Sequence, residues 1–167
     1  AGSPPAFEAA GGGGIERAEQ WRLHTALSSN AQGGILVENW EIDDTAGYGR
    51  ISAGMTLSSG IFTFPQTGVW QIEASASFGG TGGAGALTLF KTEDNDSYAT
   101  VANSGFSPAI TNISYGVAHL VHLTDVSNTT NDKIKFEMGT FYSSGQMNGD
   151  STSNTSTVVF IRLGDAS

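Results

Sequence analysis

The stretch Lys133–Met138, with the sequence KIKFEM, decides the fold class, because apolar and charged side chains alternate along it. Successive side chains of a β-strand point to opposite faces, so Ile134, Phe136 and Met138 are expected in a core and the charged residues in water. Short runs rich in Val, Ile, Thr, Phe and Trp recur between clusters of Gly, Ser, Asn and Asp, and no long helical apolar stripe occurs after Ile15. The sequence therefore predicts an all-β chain.

Ten strands are predicted in this way, and so many short strands favour a β-sandwich. The predicted strands are residues 21–27, 35–41, 48–51, 55–64, 69–78, 86–91, 98–102, 113–124, 133–141 and 157–163.

Two of these strands are apolar on both faces: VAHLVHL at 117–123 and VVFIRL at 158–163. In a single sandwich only one face of each sheet meets the core, so a second subunit is expected to cover the other face. The expected interface residues are Val117, His119, Leu120, Val121, Val159, Phe160 and Ile161. On this hypothesis Leu120→Asp would dissociate the oligomer. The alternative is that the N-terminal segment folds over this sheet within the same subunit.

The composition is that of one globular domain with its own core: 167 residues, 38% hydrophobic and 14% charged, with no cysteine. The absence of Cys excludes a disulfide framework, a Cys-type zinc site and a cysteine nucleophile. A net charge of -9 argues against nucleic acid as a partner, and no apolar run is long enough to insert in a membrane.

Residues 1–14, AGSPPAFEAAGGGG, are predicted to form a flexible arm or linker ahead of a domain at 15–167, because this composition buries little apolar surface. A vector-derived extension is the alternative interpretation of the arm.

The run Gly60–Ile72, GIFTFPQTGVWQI, resembles the second-to-third strand hairpin of the complement C1q and tumour necrosis factor (TNF) superfamily, usually G-x-F-x-x-P-x-x-G-x-Y-x-F. The ending Phe160–Leu163 departs from the aromatic-rich final strand of that family. The resemblance implies a ten-strand jelly roll that forms a non-covalent homotrimer, with the family's first, third, sixth and last strands facing the threefold axis. It also implies a non-enzymatic recognition head, a role that similar domains play in animals and on bacteriophage fibres and capsids.

In a jelly roll the loops alternate between the two ends, so residues 28–34, 79–85, 104–112 and 142–156 are expected together at the tip. Long polar loops of this kind often contact partners, although functionless surface loops have the same composition. The candidate binding residues are Ser29, Asn30, Thr81, Phe106, Asn148, Asp150 and Asn154.

Other motifs are weaker. Residues 80–85 match G-x-G-x-x-G, but a strand follows where a dinucleotide site needs a helix. His119 and His122 are three apart in a strand, so their rings are expected on opposite faces and cannot share a metal ion within one subunit. Three copies of one histidine at a threefold axis could still bind a metal, although a hydrogen-bonded interface histidine is the favoured interpretation. The acidic runs 93–96 and 125–132 offer calcium-type oxygen ligands without a recognisable calcium loop. No catalytic motif is present, and we expect no enzyme activity, cofactor or metal.

The leading hypothesis is a trimeric attachment head on a virion surface, a bacteriophage capsid-surface, decoration or tail-fibre component. The arm would join it to the particle, and the tip loops would contact a host glycan or receptor. A secreted, extracellular C1q-like recognition protein is the alternative. A third hypothesis, a glycan-degrading spike domain, would need a carboxylate cluster in a groove.

Overall fold

The computed structural model describes residues 14–29, 34–80, 84–106, 115–139 and 145–166. Within these ranges the chain forms thirteen β-strands and no helix, which confirms the all-β prediction. The strands are β1 (Arg17–Leu23), β2 (Leu27–Ser29), β3 (Ile35–Leu36), β4 (Trp40–Ile42), β5 (Thr56–Ser58), β6 (Ile61–Thr63), β7 (Gly68–Gly80), β8 (Gly85–Thr92), β9 (Ala99–Phe106), β10 (Gly116–Val126), β11 (Lys133–Met138), β12 (Gly145–Met147) and β13 (Thr157–Gly164).

The strands form two antiparallel sheets. Sheet A has the order β2-β12-β7-β13-β1-β4, with β10 on the other edge of β7, and sheet B has the order β5-β6-β11-β8-β9, with β3 beside β6 on β11. An aromatic cluster fills the space between the sheets, where the Phe62 ring lies 5.2 Å from Trp21 and 5.1 Å from Phe160, centroid to centroid. The predicted jelly-roll sandwich is therefore confirmed, with some strands divided.

The predicted strand 55–64 is in fact a hairpin of β5 and β6, joined at Ser59 and Gly60. Both residues have positive φ, 48° and 75°, which is the geometry of a type I′ turn that matches the twist of the flanking strands. The predicted strand 35–41 divides into β3 and β4, which lie in different sheets. Residues 48–51 form no strand; only Ile51 makes a bridge, to Ala18.

The run 60–72 is not a hairpin, and this expectation was wrong. β6 belongs to sheet B and β7 to sheet A, so the segment between them crosses from one sheet to the other. The rings of Phe64 and Trp70 pack 5.5 Å apart at the crossing, and Trp70 Nε1 donates a hydrogen bond to the Gln66 carbonyl at 3.0 Å. Phe64 and Trp70 are therefore buried core residues at the point where the chain passes between the sheets.

The strand register separates the two ends of the sandwich. Arg17 pairs with Arg162 at one end and Arg22 with Thr157 toward the other. The latter end, called the tip below, also holds Gly80 and Phe106, where β7 and β9 end. Ser29, Gly80, Phe106 and Gly145, which belong to the described parts of the four predicted loops, lie at this end, whereas residues 30–33, 81–83, 107–112 and 142–144 are outside the described residues. The acidic turns after β8 and β10 lie at the opposite end.

Candidate interaction surface

The outer face of sheet A carries a row of exposed apolar side chains on β10. Val117, Val121 and Leu123 are 60%, 51% and 57% exposed, although they belong to a well-paired eleven-residue strand. Exposed large apolar side chains in one row are unusual on a soluble subunit and mark interaction surfaces. Together with His119 and Glu73, these three residues are called the β10 face below.

A histidine and a carboxylate meet in the middle of the β10 face. His119 Nε2 lies 3.1 Å from Glu73 Oε1, and both side chains are about half exposed. The backbone N–H of His119 donates to Ser104 Oγ at 3.2 Å, which ties the edge of sheet A to β9 of sheet B. The backbone of His119 is therefore held by β7 of sheet A and by Ser104 of sheet B.

His122 points to the other side of β10. It stands opposite the buried Ile72, whereas His119 stands opposite Ser75. Burial lowers the pKa of His122, and the positive charge of Lys91 lowers it further. The opposite orientation of the two histidines agrees with the expectation from their spacing, so they do not form a metal pair within one subunit.

Two expected interface residues face inward. Leu120 is 5% exposed and Phe160 is fully buried, and both belong to the core between the sheets. The expectation that they contact another subunit was wrong. Leu120 and Phe160 lie on the inner faces of their strands, whereas the neighbouring Val121 and Val159 lie on the outer faces. The remaining five, which stay a prediction as interface residues, are Val117, His119, Val121, Val159 and Ile161.

A buried arginine organises the tip side of sheet A. Arg22 is 1% exposed; it donates to Glu41 Oε1 at 2.7 Å and to Asp43 Oδ1 at 3.2 Å, and it also contacts Asp44 and the Ser151 carbonyl. The hydrogen bond to Glu41, against the opposing effect of burial, raises the pKa of Arg22. This cluster was missed from the sequence, because the acidic partners lie about twenty positions away on β4 and beyond and carry no local signal.

The candidate residues between β12 and β13 hold their segment in shape. Asn154 Nδ2 donates to Asp43 Oδ2 at 2.7 Å, and Asn148 Nδ2 donates to Ser77 Oγ at 3.2 Å. Asp150 accepts the backbone N–H groups of Thr152 and Ser153, and hydrogen bonds, first from the Thr152 hydroxyl, lower its pKa. Asp150 and Asn154 remain exposed and stay predictions as contact residues.

Phe106 is not a loop residue. It ends β9, is half-buried against the core, and its ring lies 5.6 Å from that of Phe78. Ser29 ends β2, paired with Gly145. Asn30 and Thr81 lie outside the described residues, as do positions 1–13 of the predicted arm.

The acidic turns at the opposite end use their carboxylates internally. Asp94 Oδ1 accepts the Thr92 hydroxyl at 2.7 Å and the backbone N–H of Ser97 at 2.7 Å, and Asp132 accepts the N–H of Ser127 at 2.7 Å. Across the described ranges, no three His, Cys, Asp or Glu side chains are grouped to hold a metal ion. The same ranges contain no helix long and apolar enough to span a membrane.

No protein-family model and no curated protein matches the chain. Solved structures with similar folds include Eiger TNF from S. frugiperda, with 12% identity, a TM-score of 0.67, and coverage of 90% of this chain and 94% of that one. Murine APRIL, in its structure at pH 5.0, has 12% identity and a TM-score of 0.64 over 88% of this chain and 98% of that one. The sandwich built from sheets A and B is therefore a TNF-like jelly roll.

Proposed function

We propose that the protein is a non-enzymatic, homotrimeric recognition head, whose subunits associate through the outer face of sheet A and whose tip contacts a partner. The observation that carries the proposal is the exposed row Val117, Val121 and Leu123 on a strand whose other face is already buried in the core.

Self-association removes this row from water. Burial of apolar surface contributes roughly 25 cal/mol per Å², and the half-buried Val159 and Ile161 extend the apolar area across β13. The resemblance of residues 60–72 to the C1q and TNF superfamily supports a threefold arrangement in particular. A closed trimer also presents three copies of each tip loop, which raises avidity for a repetitive target.

The oligomer is tested by light scattering. A subunit of 17.3 kDa gives a trimer of about 52 kDa. Val121→Asp should dissociate the trimer into folded subunits, because it places an unpaired charge in each interface. The matched control is Thr56→Asp, an exposed strand position of sheet B, which should keep the trimer mass. A wild-type monomer, or an unchanged mass for Val121→Asp, would overturn the proposal.

Two biological settings suit such a head. The first is a virion, where residues 1–14 would join the head to the particle and the tip would meet a host glycan or receptor. The second is an extracellular, secreted recognition protein, which the likeness to Eiger TNF and APRIL favours. An antibody against the domain separates them: co-purification with virions supports the first, and cell-derived protein in particle-free medium supports the second.

A further inference from the structure

A groove runs over the outer face of sheet B, on the opposite side of the molecule from the β10 face. It is a shallow depression, open to solvent, with a volume of about 410 Å³; small-molecule sites usually have volumes of about 300–1,000 Å³. Its floor and walls include Ala86, Thr88, Phe90, Thr100, Asn103 and Glu137. The groove lies within one subunit, so it does not depend on the proposed trimer.

Two glycines lie at one end of this groove, as far as the described residues form it. Gly34 and Gly139 form the rim, and a Cβ atom on Gly34 would lie 2.2 Å from Glu137 Oε2. A Cβ atom on Gly139 would lie 2.9 Å from the Cβ of Ala86. Larger residues at these positions would fill the groove or displace the carboxylate.

Phe90, the aromatic residue of the groove, contacts the ammonium group of Lys135, which is itself paired with Glu137. Lys135 Nζ lies 5.2 Å from the ring centroid of Phe90 and 4.9 Å from that of Tyr98. The same Nζ donates to Glu137 Oε1 at 2.7 Å. This arrangement fixes Phe90 by a cation–π contact and leaves no free positive charge for an anionic ligand.

Thr88 and Asn103 line the groove together with Phe90 and have hydrogen-bond donors and acceptors that are not used within the described parts of the chain. Asn103 Nδ2 donates to Thr88 Oγ1 at 2.6 Å, which leaves the Asn103 carbonyl oxygen, its second N–H and the Thr88 O–H for another partner. Among the described residues, Glu137 Oε2 likewise accepts no hydrogen bond, whereas Oε1 is used by Lys135.

We propose that this groove binds a neutral pyranose ring of a saccharide. A sugar has an apolar C–H face, which fits against an aromatic ring, and a rim of hydroxyl groups that both donate and accept, as the amide of Asn103 and the carboxylate of Glu137 require. Phosphate ligands are disfavoured by Glu137 and by the net charge of -9. A peptide adding a strand would use an edge of the sheet rather than this face.

The test is a titration of ¹⁵N-labelled protein, followed by NMR, with the methyl glycosides of glucose, galactose, mannose and N-acetylglucosamine up to about 100 mM. At least one glycoside should cause saturable shifts centred on Thr88, Phe90 and Asn103. Asn103→Ala and Glu137→Gln should each weaken that binding about tenfold, since a lost hydrogen bond to a polar ligand costs about that factor. The matched control Glu93→Gln, an exposed carboxylate away from the groove, should bind as the wild type does.

Three results would overturn the inference: no saturable shift with any of the four glycosides, shifts centred on the tip instead, or unchanged binding by both groove variants. The amide spectrum of each variant shows whether it is folded, and Asn103, which is exposed, tolerates replacement without loss of core packing. Light scattering on the same samples reports the trimer separately, so failure of the groove and failure of the trimer are distinguishable.

Discussion

Arg22 shows how a single residue connects three separate parts of the chain. Its guanidinium group lies below the surface between Glu41, Asp43 and the Ser151 carbonyl. A buried cation of this kind is stable only while its hydrogen-bonding partners surround it. The side chain therefore couples β1 to the segments after β4 and β12.

Replacing this cation should destabilise the domain. In Arg22→Met the Asp43 carboxylate, which is 3% exposed, loses its cationic partner, so the urea midpoint should fall markedly. Arg50→Met, at an exposed arginine, is the control and should leave the midpoint nearly unchanged. Equal midpoints for the two variants would show that the buried cluster contributes nothing to stability.

Leu120 is a core residue, and its truncation should act on folding. Leu120→Ala should lower the free energy of unfolding by about 2–5 kcal/mol, the usual cost of a cavity left by a buried leucine. Leu163→Ala, at a leucine that is 47% exposed, should change it by less than about 0.5 kcal/mol. Urea denaturation of both variants gives the comparison, and a stable Leu120→Ala subunit would contradict the inward orientation.

At the scale of single elements, the β5–β6 turn depends on left-handed backbone conformations. Gly60 has φ +75°, and a Cβ atom there would lie 2.9 Å from Leu36 Cγ. Gly60→Ala should therefore cost about 1 kcal/mol or more, whereas Ser59→Asn should stabilise the turn slightly, since Asn tolerates positive φ. Thermal melts of the two variants should shift in opposite directions; two shifts of the same sign would argue against the type I′ geometry.

The sequence predicted strand existence better than strand limits. Alternation in residues 133–138 correctly predicted β11 and its inner face, because a strand with one polar and one apolar face shows which side chains point inward. The merged prediction for 55–64 failed because apolar and β-branched residues flank Ser59 and Gly60 on both sides, although the Ser-Gly pair is a turn signal. The sheet to which each strand belongs depends on contacts between residues far apart in sequence. The sequence therefore did not predict that residues 64–68 cross from one sheet to the other.

The same reasoning explains the candidate interface. In residues 117–123 of β10 and 158–163 of β13 apolar side chains occur on both faces, so the sequence predicted an unusual outer face but not which side chains form it. Leu120 and Phe160 were assigned outward because alternation gives no parity when both faces are apolar. The Arg22 cluster joins β1, β4 and the connections that follow β4 and β12, and the groove around Phe90 joins residues of β8, β9 and β11; only the folded register brings these residues together.

At the scale of the whole molecule, stability should fall with acid in two steps. Burial, and then the positive charge of Lys91, lower the pKa of His122, so the folded state favours the neutral ring. The folded state therefore has its full stability with respect to this group above about pH 6.5, and it loses stability as the pH falls below that value. Hydrogen bonds, first from Thr92, lower the pKa of Asp94, and those on Asp150 act similarly. Their contributions are complete above about pH 4 and are lost below it.

The first step can be isolated by substitution. Unfolding free energies measured by urea between pH 7.5 and 3 should show that His122→Gln removes the loss below pH 6.5 and keeps the second step. His24→Gln, at a histidine that is half exposed, is the matched control and should retain both steps. If the control rather than His122→Gln abolished the upper step, the assignment to the half-buried ring would be wrong.

The antiparallel pairing of β1 with β13 sets Arg17 beside Arg162, at the end of the sandwich away from the tip. Ile15 and Ala166, the exposed residues beside these strand ends, therefore lie on the side remote from Gly80 and Phe106. Because the sequence contains no cysteine, Ile15→Cys or Ala166→Cys offers a single thiol for coupling to a biosensor chip, a bead or a fluorophore. Both couplings leave the tip directed toward the analyte, so the two variants should give the same signal with a partner that binds the tip.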